Sequence, residues 1–187
     1  MVHYYTRKPI PMSFLKSSVL LLVISGVCLG CDQWPNGTDK AIHWWECSNG
    51  PIKLYNVTVM NQNGQPEYPI LLTAPIQVWI DIDNPTDTFT DPNLRAQVNL
   101  WSWNYAGCSW ASVPTFGLLR DLNACDFATC PINPGRQWVK VTIDFTQFQP
   151  IINVLKDNMP YQLQLNLHDK ASGDNVCVSF QAWCRTK

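Results

Sequence analysis

Three kinds of chemistry are within reach of the side chains in this sequence, and each lacks a part. Asp81, Asp83, Asp144 and Asp169 could supply paired carboxylates, but general acid–base work needs two of them converging across one bond. All four fall on polar faces of alternating segments or in turns, where acids serve solvation. Imidazole chemistry would rest on His43 or His168, the two histidines beyond the N-terminal stretch. His43 sits among Trp44 and Trp45 and reads as structural or partly exposed; His168 sits at a hairpin end, where a solvated histidine is usual. Cys125 and Cys130 are five apart, with no second close pair to complete a zinc ribbon, so a local disulfide is the better reading. Gly-x-Ser-x-Gly, His-Glu-x-x-His and Gly-rich phosphate-loop motifs are all missing. The expectation is therefore a protein that is not an enzyme and has no metal site and no cofactor.

The first thirty residues address the compartment. Arg7, Lys8 and Lys16 are basic, no acid precedes Asp32, and Val19 to Val27 is apolar apart from Ser25 and Gly26. A basic start, a short apolar run and a small-residue end at Cys28-Leu29-Gly30 predict a secretory signal over 1–30, with translation starting at Met1 or Met12. Gly30-Cys31 would also suit a lipoprotein signal, but Cys28 stands where such a signal calls for Leu. The remaining domain, 31–187, has 157 residues, enough for one real core. The whole chain carries −1, and removal of Arg7, Lys8 and Lys16 leaves −4, which gives no footprint for nucleic acid. Seven cysteines remain: Cys31, Cys47, Cys108, Cys125, Cys130, Cys177 and Cys184. In a secreted chain they read as disulfides, and the odd count means that one is free, that one is paired between chains, or that cleavage falls before Cys28. Asn36-Gly37-Thr38 and Asn56-Val57-Thr58 are acceptors for N-linked glycans, whereas Asn84-Pro85-Thr86 is excluded by its proline.

Alternation at period two dominates the chain. Ile76, Val78, Ile80 and Ile82 face one way against Gln77, Trp79 and Asp81. Leu94, Ala96, Val98 and Leu100 oppose Arg95, Gln97 and Asn99. Val139, Val141, Ile143 and Phe145 oppose Lys140, Thr142 and Asp144. Leu163, Leu165 and Leu167 form a further row, as do Val176, Val178, Phe180 and Ala182. A weaker strand covers Ile52 to Met60, in which a glycan on Asn56 would turn Tyr55, Val57 and Val59 inward. Asn63-Gly64, Asn84 to Asp87, Pro131 to Gly135 and Lys170 to Asp174 separate the runs as turns. Six or seven antiparallel strands with one apolar face each predict an all-β, two-sheet sandwich.

One segment breaks the pattern. Between Trp101 and Leu122 lie Trp101, Trp103, Tyr105, Trp110, Phe116, Leu118, Leu119 and Leu122, with only Arg120 and Asp121 charged. A helical turn is expected over Phe116 to Leu122, behind Pro114-Thr115. Trp101 and Trp103 fall on the face of Gln97 and Asn99, so they should stand outside the core. Exposed aromatics in one loop mark an interaction site; the alternative is that the loop folds back over one end of the sandwich. A carbohydrate- or protein-recognition sandwich using Trp79, Trp101, Trp103 and Trp110 is one functional reading.

The order and spacing of several segments resemble the ML (lipid-recognition) domain family, in particular its ganglioside activator branch. Trp44-Trp45-Glu46-Cys47 followed by Gly50 to Val59 resembles the family's opening cysteine and first strand. Ala74 to Asp81, the Cys125 to Ile132 loop ending in Cys-Pro, Tyr161 to Leu165, and Val176-Cys177-Val178 resemble later elements, so that the likeness spans about residues 42–182. It implies an immunoglobulin-like sandwich with an apolar cavity between its sheets and disulfides Cys47–Cys177 and Cys125–Cys130. It implies a lipid ligand (glycolipid, phospholipid or sterol) lined by Val78, Ile80, Val98, Leu100 and Val141, with Ile143, Leu163, Leu165, Val178 and Phe180. The mouth and transient membrane contact would be Trp101, Trp103, Trp110, Phe116, Leu118 and Leu119. Residence outside the cell or in the lysosomal lumen, and presentation of glycolipid to a hydrolase, belong to the same expectation.

Overall fold

Strands with one apolar row each are stable only when those rows face each other across a shared interior. The computed structural model describes residues 30–187; the signal expected over 1–30 lies, except for its last residue, outside the described residues. Asp32–Lys187 form one body. Its strands are β1 His43–Glu46, β2 Lys53–Asn61, β3 Ile70–Leu71, β4 Ile76–Asn84, β5 Leu94–Asn104, β6 Ser109–Ser112, β7 Leu122–Asn123, β8 Gly135–Ile143, β9 Met159–Asp169 and β10 Asn175–Arg185. The larger sheet runs β1-β10-β9-β5-β6, with β3 added to β10 and β7 to β5; the smaller runs β2-β4-β8. Every pairing is antiparallel except β3 on β10. This is the expected all-β sandwich.

The six runs read from alternation are the six long strands. The four short ones, of two to four residues, are too brief for a period of two to register. The β9–β10 hairpin turns where expected: the Asp169 carboxylate accepts from the Ser172 backbone N–H and hydroxyl at 2.8 and 2.9 Å, and Gly173 supplies the left-handed φ of +82°.

The two inner faces meet in one core. Ile80, Ile82 and Val139 of the small sheet oppose Leu165, Leu167 and Val178 of the large one around a void of only about 20 Å³. A second void of about 20 Å³ lies among Ile76, Leu100, Leu163 and Phe180. Such spaces are at the scale of single water molecules, so most of the sandwich is filled.

Three local expectations are corrected. Tyr55 does not turn inward with Val57 and Val59, because a bulge between Leu54 and Asn56 leaves it outward and 48 % exposed. Phe116 to Leu122 is not helical. Phe116 and Gly117 both adopt left-handed φ, +54° and +77°, and the Leu118 N–H donates to the Thr115 carbonyl at 2.9 Å, which makes a tight β-turn instead. Trp103 points to the outer face, yet it is buried. The N-terminal stretch crosses that face, and the Trp103 indole donates to the Asp32 carbonyl at 2.8 Å.

Cys47–Cys177 and Cys125–Cys130 are disulfides, as the resemblance implied. Cys31 and Cys108 are also disulfide-bonded. The odd cysteine is Cys184, free and buried, where desolvation pushes its thiol well above the ordinary range. The Cys47–Cys177 bridge spans 130 residues, for which loop-closure entropy gives about 5 kcal/mol.

Two outcomes follow from this packing. Leu165→Ala removes a side chain that is 2 % exposed beside a near-empty void, and should cost about 3 kcal/mol, or about 6–12 °C in Tm by calorimetry. In the native protein Cys184 should stay unmodified by an aqueous thiol reagent at pH 8, and should be labelled once denaturant opens the core.

Candidate functional site

A larger space opens between the sheets as a cleft that reaches the surface. It has a volume of about 390 Å³ and lies between the inner row of β5 in the large sheet and the end of β8, the edge strand of the small sheet. That size falls within the usual range for small-molecule sites, about 300–1,000 Å³.

The cleft has a floor and two further walls, with Pro75 at its margin. The floor is Val98 on the inner row of β5, with Leu119 from the loop that follows β6. The Val98 N–H donates to the Leu119 carbonyl at 2.9 Å, and the Arg95 guanidinium holds Asp121 at 2.9 Å, so this loop is pinned along β5. The second wall is a strap. Leu122 and Asn123 pair with Ala96 and Arg95 of β5. The chain then makes a 3-10 turn over Ala124–Asp126, capped by the Asn123 side chain accepting from the Cys125 N–H at 3.2 Å. It leaves along β8, where Thr142 N–H donates to the Phe127 carbonyl at 2.7 Å and Thr129 N–H to the Lys140 carbonyl at 2.8 Å. The Cys125–Cys130 bridge closes this crossing. The third wall is Thr142 to Phe148, the end of β8 and the 3-10 turn after it.

The interior is apolar: Pro75, Val98, Leu119, Leu122, Phe127, Ile143, Phe145 and Phe148. Asn123, Asp126, Thr142, Asp144 and Gln147 supply the polar part of the lining. Asn123 donates to Asp126 at 2.9 Å and to Asp91 at 2.8 Å. Asp144 accepts from the Thr146 hydroxyl at 2.5 Å, the Thr146 N–H at 3.0 Å and Gln147 Nε2 at 3.0 Å. These bonds, the Thr146 hydroxyl first, hold its carboxyl below the usual carboxylate range. No cation contributes to the lining. Phe116 and Leu118, 63 % and 39 % exposed, stand on the turn leading into Leu119.

The ten residues expected to line a cavity are placed as follows. Nine are buried and Ile143 is half-buried, but they do not surround one space. Val98 and Ile143 line the pocket. Ile80, Leu165 and Val178 border one small void, and Leu100, Leu163 and Phe180 the other; Val78 and Val141 border none of the three. Of the expected mouth, Phe116 and Leu118 are exposed, while Leu119 is buried and forms a wall. Trp101, Trp103 and Trp110 belong to the opposite face of the large sheet, with Trp103 and Trp110 rings 5.2 Å apart. Trp79 lies on the outer face of the small sheet, paired with Thr58 and Lys140, so the four tryptophans do not form one surface. Leu122, the last residue of the aromatic-rich segment, lines the pocket as well, whereas Phe127 and Phe148 were not anticipated, because the strap and the turn after β8 have no periodicity to read.

The Asp144 value is lower in the folded chain than in the unfolded one, so its bonds contribute stability present above about pH 4 and lost as pH falls through the folded value. Thr146→Val should raise the Asp144 midpoint, read by carboxyl-carbon NMR titration, and move acid loosening of this wall to higher pH.

No family model matches the chain, and no curated protein matches it. Solved structures that match include a Niemann-Pick type C2 protein from Japanese carpenter ant, 12 % identical, with a TM-score of 0.46 over 76 % of this chain and 99 % of that chain.

Proposed function

We propose that this chain is a lipid-binding protein that holds an apolar tail in the pocket between β5 and β8. The observation that carries the reading is an open, largely apolar-walled cleft of about 390 Å³, against about 20 Å³ in each of two voids deeper in the sandwich. Each buried methylene contributes about 0.8 kcal/mol, so a tail of about ten carbons offers roughly 8 kcal/mol before association costs. With Asp126 and Asp144 on the polar part of the lining and no cation there, an uncharged polar end fits better than a carboxylate or phosphate. The role is binding rather than turnover.

Six disulfide-bonded cysteines support residence in an oxidising lumen, extracellular or lysosomal. Phe116 and Leu118, exposed beside the Leu119 wall, suit a transient dip into a membrane surface from which the lipid is drawn. Presentation of a glycolipid to a hydrolase is the finer form of the proposal, and its support is the resemblance to the activator branch.

The test is displacement of a fluorescent monoacylglycerol from protein stripped by organic extraction. Val98→Trp and Leu122→Trp, which fill the pocket, should weaken binding at least tenfold while leaving the far-UV spectrum unchanged. Wild-type affinity in both would overturn the assignment. A fatty acid of equal chain length should bind more weakly than the monoacylglycerol. Phe116→Asp should slow extraction from liposomes without changing affinity for dispersed lipid.

A further inference from the structure

The two Asn-x-Thr motifs meet different surroundings. Asn36 sits on the stretch that crosses the large sheet, with a left-handed φ of +57°. Its amide nitrogen donates to Gln181 Oε1 at 2.6 Å. Gln181 is 3 % exposed and donates onward to Gln162 at 2.7 Å, and Thr38 of the same motif is fully buried. Asn36 is itself exposed, but one hydrogen of its amide is committed to that buried amide pair, and a sugar on that side of the nitrogen would stand against it. Asn56 is exposed on β2. Its Oδ1 accepts from the Val57 N–H at 2.9 Å, and among the described residues its Nδ2 donates to nothing.

Asn56 also faces an unusual surface. It pairs across β4 with Asp81, which pairs with Trp138 of β8, so the three side chains share the outer face in one row. The Arg136 guanidinium forks Asp81 at 3.1 and 2.7 Å and lies 4.1 Å from the Tyr55 ring centroid, forming a fixed floor between the two ends of the row. Trp138 and Tyr55 are 47 % and 48 % exposed. Adjacent strands lie about 4.8 Å apart, so Asn56 and Trp138 are about 10 Å apart, a span that a disaccharide covers. β2 is moreover an edge of the small sheet, with backbone groups open to pairing with another chain.

We infer that Asn56, and not Asn36, carries an N-linked glycan whose first two sugars lie across Asp81 onto Trp138, covering this aromatic face and the β2 edge. The transfer joins Asn56 Nδ2 to the anomeric carbon of the first N-acetylglucosamine of a lipid-linked oligosaccharide. The lipid diphosphate leaves with the bonding pair, and the amide loses one proton. The apolar face of a sugar ring against an indole gains dispersion and excludes water, as aromatic platforms do elsewhere. This rests on the secretory residence proposed above and is independent of the lipid pocket.

The experiment is secretion of the full chain from a eukaryotic host, with intact-mass analysis of the wild type, Asn36→Gln and Asn56→Gln. One glycan is expected, kept in Asn36→Gln and lost in Asn56→Gln. Two glycans, or one that survives in Asn56→Gln, would overturn the site assignment, and so would a secreted, disulfide-bonded chain with no glycan. A chain retained in the cytosol with residues 1–30 attached and its cysteines reduced would instead overturn the secretory reading, and this inference with it. Packing is read by trimming the glycan to a single sugar, which should lower Tm less than Asn56→Gln does; that substitution should lower it by about 2–4 °C. Trp138→Ser should shrink the difference between the glycosylated and Asn56→Gln proteins to about that left by a single sugar. An undiminished difference in the Trp138→Ser background would show that the sugars do not rest on this ring.

Discussion

Two sheets that pack face to face still leave the sides of the sandwich open, and here a crossing of the chain is bonded to both β5 and β8 on one side. Leu122 and Asn123 hydrogen-bond to the edge of β5, and within a few residues Phe127 and Thr129 hydrogen-bond to the edge of β8. A strap bonded to both sheets holds their edges at a set separation, and the Cys125–Cys130 bridge limits how far it can extend. Because the strap spans the gap rather than filling it, the inner rows of β5 and β8 meet no opposing row there. Val98 and Ile143 thus border open space, whereas Leu165 and Val178, deeper between the sheets, are in close contact.

The outer face of the large sheet meets a different constraint. Ser179 and Gln181 of β10 are buried on the side away from the core, where alternation alone would leave them solvated. Their burial is tolerable because their polar groups are engaged. Gln181 joins Asn36 and Gln162, and Ser179 Oγ lies 3.3 Å from Cys47 Sγ. Trp34 against Trp183, with ring centroids 4.9 Å apart, and Trp103 bonded to Asp32 complete the covering. These tryptophans secure the N-terminal stretch of the domain. The small sheet lacks such a cover, and its outer face keeps Tyr55 and Trp138 exposed.

Much of this was legible from residue order. The six long strands, the inward rows from Ile76 to Ile82 and from Leu94 to Leu100, and the β9–β10 turn all follow from a period of two and from turn chemistry. The candidate site was legible only in part. Val98 and Ile143 were expected to line it because they lie on apolar rows, but so do Val78 and Val141, which are simply packed. Periodicity reports which side of a sheet a residue occupies and carries no information on what stands opposite it.

The sequence by itself determined the class of fold and which face of each long strand turns inward, because those follow from local alternation and from the free energy of removing apolar side chains from water. Only the tertiary structure decided where a cleft stays open between the sheets, which aromatic groups are covered, and which of two Asn-x-Thr motifs has its amide bonded to a buried neighbour. Each of those depends on the distance between segments far apart in the chain: Leu122 and Val98 around the pocket, Asp32 and Trp103 on one outer face, and Asn36 and Gln181 on that same face. No local pattern encodes such distances, since they are fixed by how two sheets and a strap fit together as solid bodies.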